Sequence, residues 1–257
     1  MRTVRSGWVT LQRRLLGSDI ALKRSRGRYR QDDRSSEKFR GRSHPAVGAL
    51  QRADQLAAGL RELGLELAVS AQAKAFDYLA LLEKWNRVYN LTGVRDAHEM
   101  VTRHLLDSFT IIPFVAGPRV LDIGTGAGLP GIPLALALPN MEFVLLDSGS
   151  KKVQFVRHVV AELALHNVSV VGQRAQQYAP AVRFDTVIAR ALASIKEVLT
   201  IACPLCTRAG RVLIMKGAFP TEELAEIPDG YNIVQVVRLR VPGLKAKRHL
   251  VHIEARR

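Results

Sequence analysis

Cysteine is nearly absent. The chain of 257 residues has two, Cys203 and Cys206. Disulfides therefore do not organise the fold, and a reducing cytoplasm is the expected setting. No apolar run reaches the roughly 20 residues of a membrane-spanning helix. The first residues carry arginines but no clean apolar stretch with a cleavage site, so neither a membrane protein nor a secreted one is expected. Acids are in short supply. There are 23 Asp and Glu against 38 Lys and Arg, a formal net charge of +15. The imbalance is concentrated early, with 13 basic residues and four acids in the first 50. A basic excess suits a polyanionic partner such as nucleic acid, without specifying what it reads. What is plentiful is apolar residues, at 47%. That is enough for one substantial α/β domain with an attached piece.

Residues 1–48 lack sustained periodicity and are expected to be a disordered basic extension. Arg24, Arg26, Arg28 and Arg30 alternate with small or polar residues, and Gly41-Arg-Ser-His-Pro45 reads as linker. Such an arm attracts RNA, or is inert, or reflects an upstream start codon. Asp32, Asp33 and Glu37 argue against a transit peptide. Over 49–115 the pattern is helical, a cap. Phe76, Leu79, Leu82, Trp85, Val88 and Tyr89 recur at steps of three and four, predicting one buried face. Asp96 is positioned to cap a second helix, with Glu99 three residues on, and Tyr89-Asn-Leu-Thr-Gly93 reads as a helix end.

From Arg119 the rhythm changes to strand and helix in alternation, over 116–257, which predicts a parallel sheet. Strands are expected at 119–123, 142–147, 168–171, 184–189 and 210–216, with helices near 130–138, 150–165 and 194–207. Tyr231 to Val241 and Arg248 to Ala255 are β-rich runs joined by Pro242-Gly243-Leu-Lys-Ala-Lys247, an expected antiparallel hairpin. Cys203-Pro-Leu-Cys206 invites a zinc or redox reading. One such pair cannot complete a four-ligand site. Placed in an apolar helical stretch, the two read as small core residues, and no metal is expected.

The most informative stretch is Arg119-Val-Leu-Asp-Ile-Gly-Thr-Gly-Ala-Gly-Leu-Pro-Gly131, an apolar strand, an acid and a glycine-rich loop opening a helix. Glycines let a ligand approach the backbone, and a helix N-terminus offers free N–H groups. Two nucleotide-like cofactors fit. Gly126-x-Gly128-x-x-Gly131, with Asp147 ending the next strand, satisfies the dinucleotide pattern. Asp122-x-Gly124-x-Gly126-x-Gly128 favours S-adenosylmethionine. Its ammonium pairs with an acid, whereas an acid repels a pyrophosphate. The closing antiparallel hairpin favours S-adenosylmethionine again.

Several segments together resemble the bacterial small-subunit ribosomal RNA methyltransferase G family, once called glucose-inhibited division protein B. They are Lys84-Trp-Asn-Arg-Val-Tyr-Asn-Leu-Thr92, Arg103-His-Leu-Leu-Asp-Ser108, the loop Asp122 to Pro133, Leu145-Leu-Asp-Ser148, Ile188-Ala-Arg-Ala191 followed by Ala193-Ser194, Met215-Lys-Gly217 and Arg248-His-Leu-Val251. They cover roughly residues 50 to 255, leaving the basic tail outside. The resemblance implies a class I S-adenosylmethionine-dependent methyltransferase, a Rossmann-like, mostly parallel seven-stranded sheet ending in an antiparallel hairpin, with an N-terminal helical cap. It implies methylation of guanine N7 at position 527, in the 530 loop of 16S ribosomal RNA, with naked RNA or the small subunit as partner and a monomeric enzyme.

It also implies site residues. Gly124 and Leu129 are its cofactor contacts; the residues themselves add Gly126, Gly128 and Asp122, and give Asp147 to the ribose or to capping the next helix. Ala175 and Gln176 align with the adenine-contacting pair, although many members carry Glu in place of Gln176. Arg190 holds cofactor or a phosphate; pairing with guanine N7 would occupy the lone pair that must attack. His104 and Asp107, three apart on one helix face, suggest acid–base chemistry. N7 carries no proton, so in-line displacement needs no base, and the pair is read as ordering the cap or touching RNA. Lys216, Lys245, Lys247 and Arg248 are the RNA-contact candidates. No Asn- or Asp-Pro-Pro-Tyr motif follows the fourth strand, which disfavours an exocyclic amine as target. A non-catalytic RNA-binding or ribosome-assembly protein on the same fold is the alternative.

Overall fold

β1 (Arg119–Ile123) is apolar except at its acid and lies at the centre of the sheet, with β2 (Glu142–Asp147) parallel on one side and β4 (Phe184–Arg190) parallel on the other. The computed structural model describes residues 45–255. The extension expected over 1–48 lies outside them except for its last four residues, which open helix α1 (Pro45–Glu62). Proline is tolerated there because the first helical N–H groups have no partner to lose. Two units divide within α1, Met1–Gln55 and Leu56–Arg257, and the second holds the sheet.

α2 (Val69–Tyr89) follows and ends on Asn90 in the left-handed region, φ 48°. Asp96 caps α3 (Ala97–Met100), accepting from the His98 and Glu99 N–H groups as its spacing predicts. α3 runs through a π-helical stretch, Val101–Leu106, into the last turn α4 (Asp107–Phe109). α5 (Gly131–Ala137), α6 (Ser150–Glu162) and β3 (Val168–Gly172) come next, then α7 (Ile195–Ala202), β5 (Cys206–Lys216), α8 (Thr221–Ala225), β6 (Tyr231–Leu239) and β7 (Arg248–Ala255). The strand order is β3-β2-β1-β4-β5-β7-β6, with β7 antiparallel to both β5 and β6.

Strand alternation sorts the core onto two faces. Val120, Phe143, Leu145, Ile188, Leu213 and Leu250 join one apolar cluster with the helices α2 to α6. Leu121, Val144, Val187, Val212 and Val251 join a second with α7. Two details depart from expectation. α2 buries a face shifted from the expected one: Leu79 and Leu82 are buried and Phe76 and Trp85 pack on the core as expected, Ala75, Tyr78 and Asn86 are buried as well, and Val88 (69%) and Tyr89 (41%) are exposed. Apolar residues occupy more than one stripe of α2, and Tyr78 turns inward because its hydroxyl finds a buried carbonyl there. The cysteines do not lie in a helix either. α7 ends at Ala202, Cys203 opens a single 3₁₀ turn, and Cys206 begins β5. Pro204 lacks the N–H that would continue the helix.

The topology gathers the candidates on one edge. β1 to β5 are parallel, so their carboxyl ends lie together, and β7, pairing Lys216 with His249, brings Arg248 to the same edge.

Candidate active site

Two carboxylates shape the glycine loop from below. Asp122 is fully buried at the end of β1. Its Oδ2 accepts the Thr125 hydroxyl at 2.7 Å and the Gly131 N–H at 2.9 Å, tying both ends of the loop to one atom. Its Oδ1 has no hydrogen-bond partner among the described residues. Burial pushes this carboxyl up to about 6, although the Thr125 and Gly131 bonds pull the other way. Asp147 closes the loop from β2, its Oδ2 accepting the Gly126 N–H at 2.9 Å and its Oδ1 the Gly149 N–H at 2.8 Å. Each carboxylate oxygen has a second lone pair, so ordering the loop leaves capacity to accept hydroxyls.

The loop needs glycine for two different reasons. Gly126 stands at φ +60°, and a Cβ there would meet nothing nearer than the Gly124 carbonyl oxygen at 3.8 Å. The crest is bare, open to a ligand. At Gly131 a Cβ would collide with Leu145 and come within 2.8 Å of Asp122 Oδ2, so the close approach that makes the Asp122 bond demands glycine. Gly124 donates to the Leu146 carbonyl at 2.8 Å and lies beneath Leu192. Gly128 packs against Ile132, and Leu129 is buried at the start of α5. Tyr78 reaches across from α2 and donates to the Ala127 carbonyl at 2.8 Å. Nothing in the sequence singled Tyr78 out. Ala175 and Gln176 form a single 3₁₀ turn after β3, Ala175 half-buried and Gln176 exposed.

Asp107 is the second centre. It is 1% exposed and is held by two guanidiniums. Arg248 Nε donates to its Oδ1 at 3.1 Å, and Arg190 Nη1 stands 3.6 Å from its Oδ2. Arg190 Nη2 also donates to the Arg103 carbonyl at 3.3 Å. His104 takes a different partner, its Nε2 3.2 Å from Thr92 Oγ1. Its Nδ1 has no hydrogen-bond partner among the described residues. Burial, with Arg190 adding to it, lowers the imidazole to about 4, so His104 is neutral near pH 7. The expected His–carboxylate pair is thus two separate arrangements, His104 on the π-helical stretch and Asp107 just after it; such a widened turn is often found at functional sites.

The cationic candidates divide. Lys216 donates to the Ala193 carbonyl at 2.9 Å and to Glu223 at 2.7 Å, and Glu223 also accepts the Ile195 N–H. Lys216 and Arg248 therefore already hold intramolecular partners. Lys245 and Lys247 are exposed in the β6–β7 loop. Cys206 is buried and its thiol is pushed up to about 12. Among the described residues, no group of three or more His, Cys, Asp or Glu is placed to hold a metal ion.

Sheet order, hairpin and glycine loop define a class I S-adenosylmethionine-dependent methyltransferase fold. A solved glycopeptide N-methyltransferase, MtfA, complexed with S-adenosyl-L-methionine, superposes with a TM-score of 0.52 at 11% identity, covering 60% of this chain and 88% of that one. The family model for rRNA small subunit methyltransferase G matches residues 71–251. The ribosomal RNA small subunit methyltransferase G of Nitrosococcus oceani is 48% identical over 199 residues, covering 77% of this chain and 93% of its own. That of Methylococcus capsulatus is 49% identical over 196 residues, covering 76% and 95%. The chain belongs to the rRNA small subunit methyltransferase G family.

Proposed function

We propose that this enzyme methylates N7 of the guanine at position 527, in the 530 loop of 16S rRNA, using S-adenosylmethionine, in the cytoplasm. The single observation that carries the reading is the carboxyl edge of the sheet, where the bare crest at Gly126 and the unpartnered Asp122 Oδ1 share the strand ends with Arg190. The donor set fits the cofactor. An unsatisfied buried carboxylate oxygen suits a cationic amine, Asp147 at the end of β2 suits ribose hydroxyls, and Ala175 and Gln176, in the turn after β3, would hold the adenine. When bound, S-adenosylmethionine supplies a methyl carbon on a positively charged sulfur.

The chain's own contribution is placement. Holding an unprotonated nitrogen in line with an electrophilic carbon converts a bimolecular encounter into an oriented one, a large gain that needs no proton transfer. A neutral His104 committed to Thr92 is compatible with such chemistry, because N7 needs no base. Mapping N7-methylguanine in 16S rRNA from cells with and without this protein tests the reading. The modification at position 527 is expected to disappear with the protein; its persistence would overturn the assignment.

A further inference from the structure

The β6–β7 connection carries a concavity of about 260 Å³ lined by Arg238, Leu239, Arg240, Val241, Leu244, Lys245, Ala246 and Lys247. Its four charged residues are all cations and all exposed, and none has an ion-pair partner among the described residues. The other cationic candidates on this edge differ: Lys216 is paired with Glu223, and Arg190 and Arg248 share Asp107. Four exposed cations gathered around one concavity with no carboxylate among them make a surface that attracts an external anion.

The cluster is also held in place. Pro242 and Val241 are buried, Leu244 packs on the main apolar cluster, and Gly243 lies against Thr102 of the π-helical stretch. Arg248, which starts β7, is anchored on Asp107. The pairing of Leu239 with Arg248 and of Lys216 with His249 puts this loop on the same sheet edge as Arg190 and the glycine loop. Like-signed charges on a loop whose backbone is packed in place, at the same sheet edge as the candidate site, match a polymer of regularly spaced phosphates.

We propose that Arg238, Arg240, Lys245 and Lys247 form a clamp for the RNA phosphodiester backbone, which sets the register of the target loop over the active edge. The clamp contacts phosphates and carries no sequence readout of its own. The proposal rests on the reading that the substrate is RNA, and its test is separable from the choice of RNA.

The measurement is fluorescence anisotropy of a 530-loop RNA oligonucleotide with the full chain, from 50 to 300 mM salt. Each bound phosphate contributes about 0.7 to the slope of log affinity against log salt for single strands. Replacing all four cations by Gln should flatten that slope by roughly 3 and weaken binding at least 100-fold at low salt. The R240K and K247R variants should bind as the wild type does, and calorimetric affinity for S-adenosylmethionine should stay unchanged in every variant. An unchanged slope in the quadruple Gln variant overturns the clamp, as does wild-type binding to anionic phosphatidylserine vesicles in preference to RNA. If the wild type prefers a different RNA and the Gln variant loses slope on that RNA, the clamp stands and the 530-loop assignment fails.

Discussion

At the residue scale, Asp122 and His104 act on stability in opposite directions. Asp122 has a folded pKa of about 6 against an ordinary 3.8, so the native state binds its proton more tightly. Its contribution to stability is present below about pH 4 and is lost as pH rises through about 6. His104 has a folded pKa of about 4 against 6.5, so its contribution is present above about pH 6.5 and is lost as pH falls towards 4. Each shift of about two units corresponds to roughly 3 kcal/mol, so the two nearly cancel between pH 4 and 6. Asp122→Asn should uncover the histidine, with melting temperature falling as pH drops from 6.5 to 4. His104→Gln should uncover the carboxylate, with the opposite slope; identical profiles in both variants would contradict this pairing. Gly126→Asp sets a side chain on the bare crest and a second carboxylate beside Asp147. Calorimetry should then detect no S-adenosylmethionine binding, and retained affinity would place the cofactor elsewhere. Much at this scale was legible. The Asp122 and glycine spacing marks a nucleotide-like loop because only small residues permit the close approaches seen at Gly131. The division of labour within Asp122, one oxygen ordering the loop and one left unpartnered, was not. It depends on the fold of residues 124–131 around that side chain.

At the scale of elements, Asp107 joins three of them, the end of the π-helical stretch, β4 through Arg190 and β7 through Arg248. Asp107→Ala would leave two guanidiniums three-quarters buried without their carboxylate. A loss of about 3 kcal/mol is expected, read as a fall of roughly 10 °C in melting temperature, with Asp107→Asn intermediate. A change within 2 °C would show that the arginines find other partners. Every strand of the sheet was foreseen from apolar runs and turn residues, because central parallel strands, buried on both faces, read as short continuous apolar runs. α2 shows where this stops. Its apolar residues are spread around the helix, and the stripe that wins includes Tyr78, whose polar tip is satisfied by a carbonyl 49 positions away. α8, five residues long, went unseen because it buries no complete face.

For the molecule as a whole, the order β3-β2-β1-β4-β5-β7-β6 has a simple outcome. Six loops and one strand start converge on a single edge, where the glycine loop, Arg190 and Arg248 lie. This much was legible, since strand and helix alternation followed by a hairpin leaves few topologies. The bond from Tyr78 to Ala127 adds something the topology alone does not contain. The cap and the glycine loop cannot part without stranding a buried carbonyl. Tyr78→Phe should cost about 1 to 2 kcal/mol and weaken S-adenosylmethionine several-fold in the same variant, whereas a loss of stability alone would uncouple the two. By reciprocity, whatever stiffens the crevice must also stiffen the shoulder above it. Saturating donor should slow amide hydrogen exchange along α2, a helix that no small molecule need touch. Such slowing would make the outer helix a reporter of whether the crevice is filled.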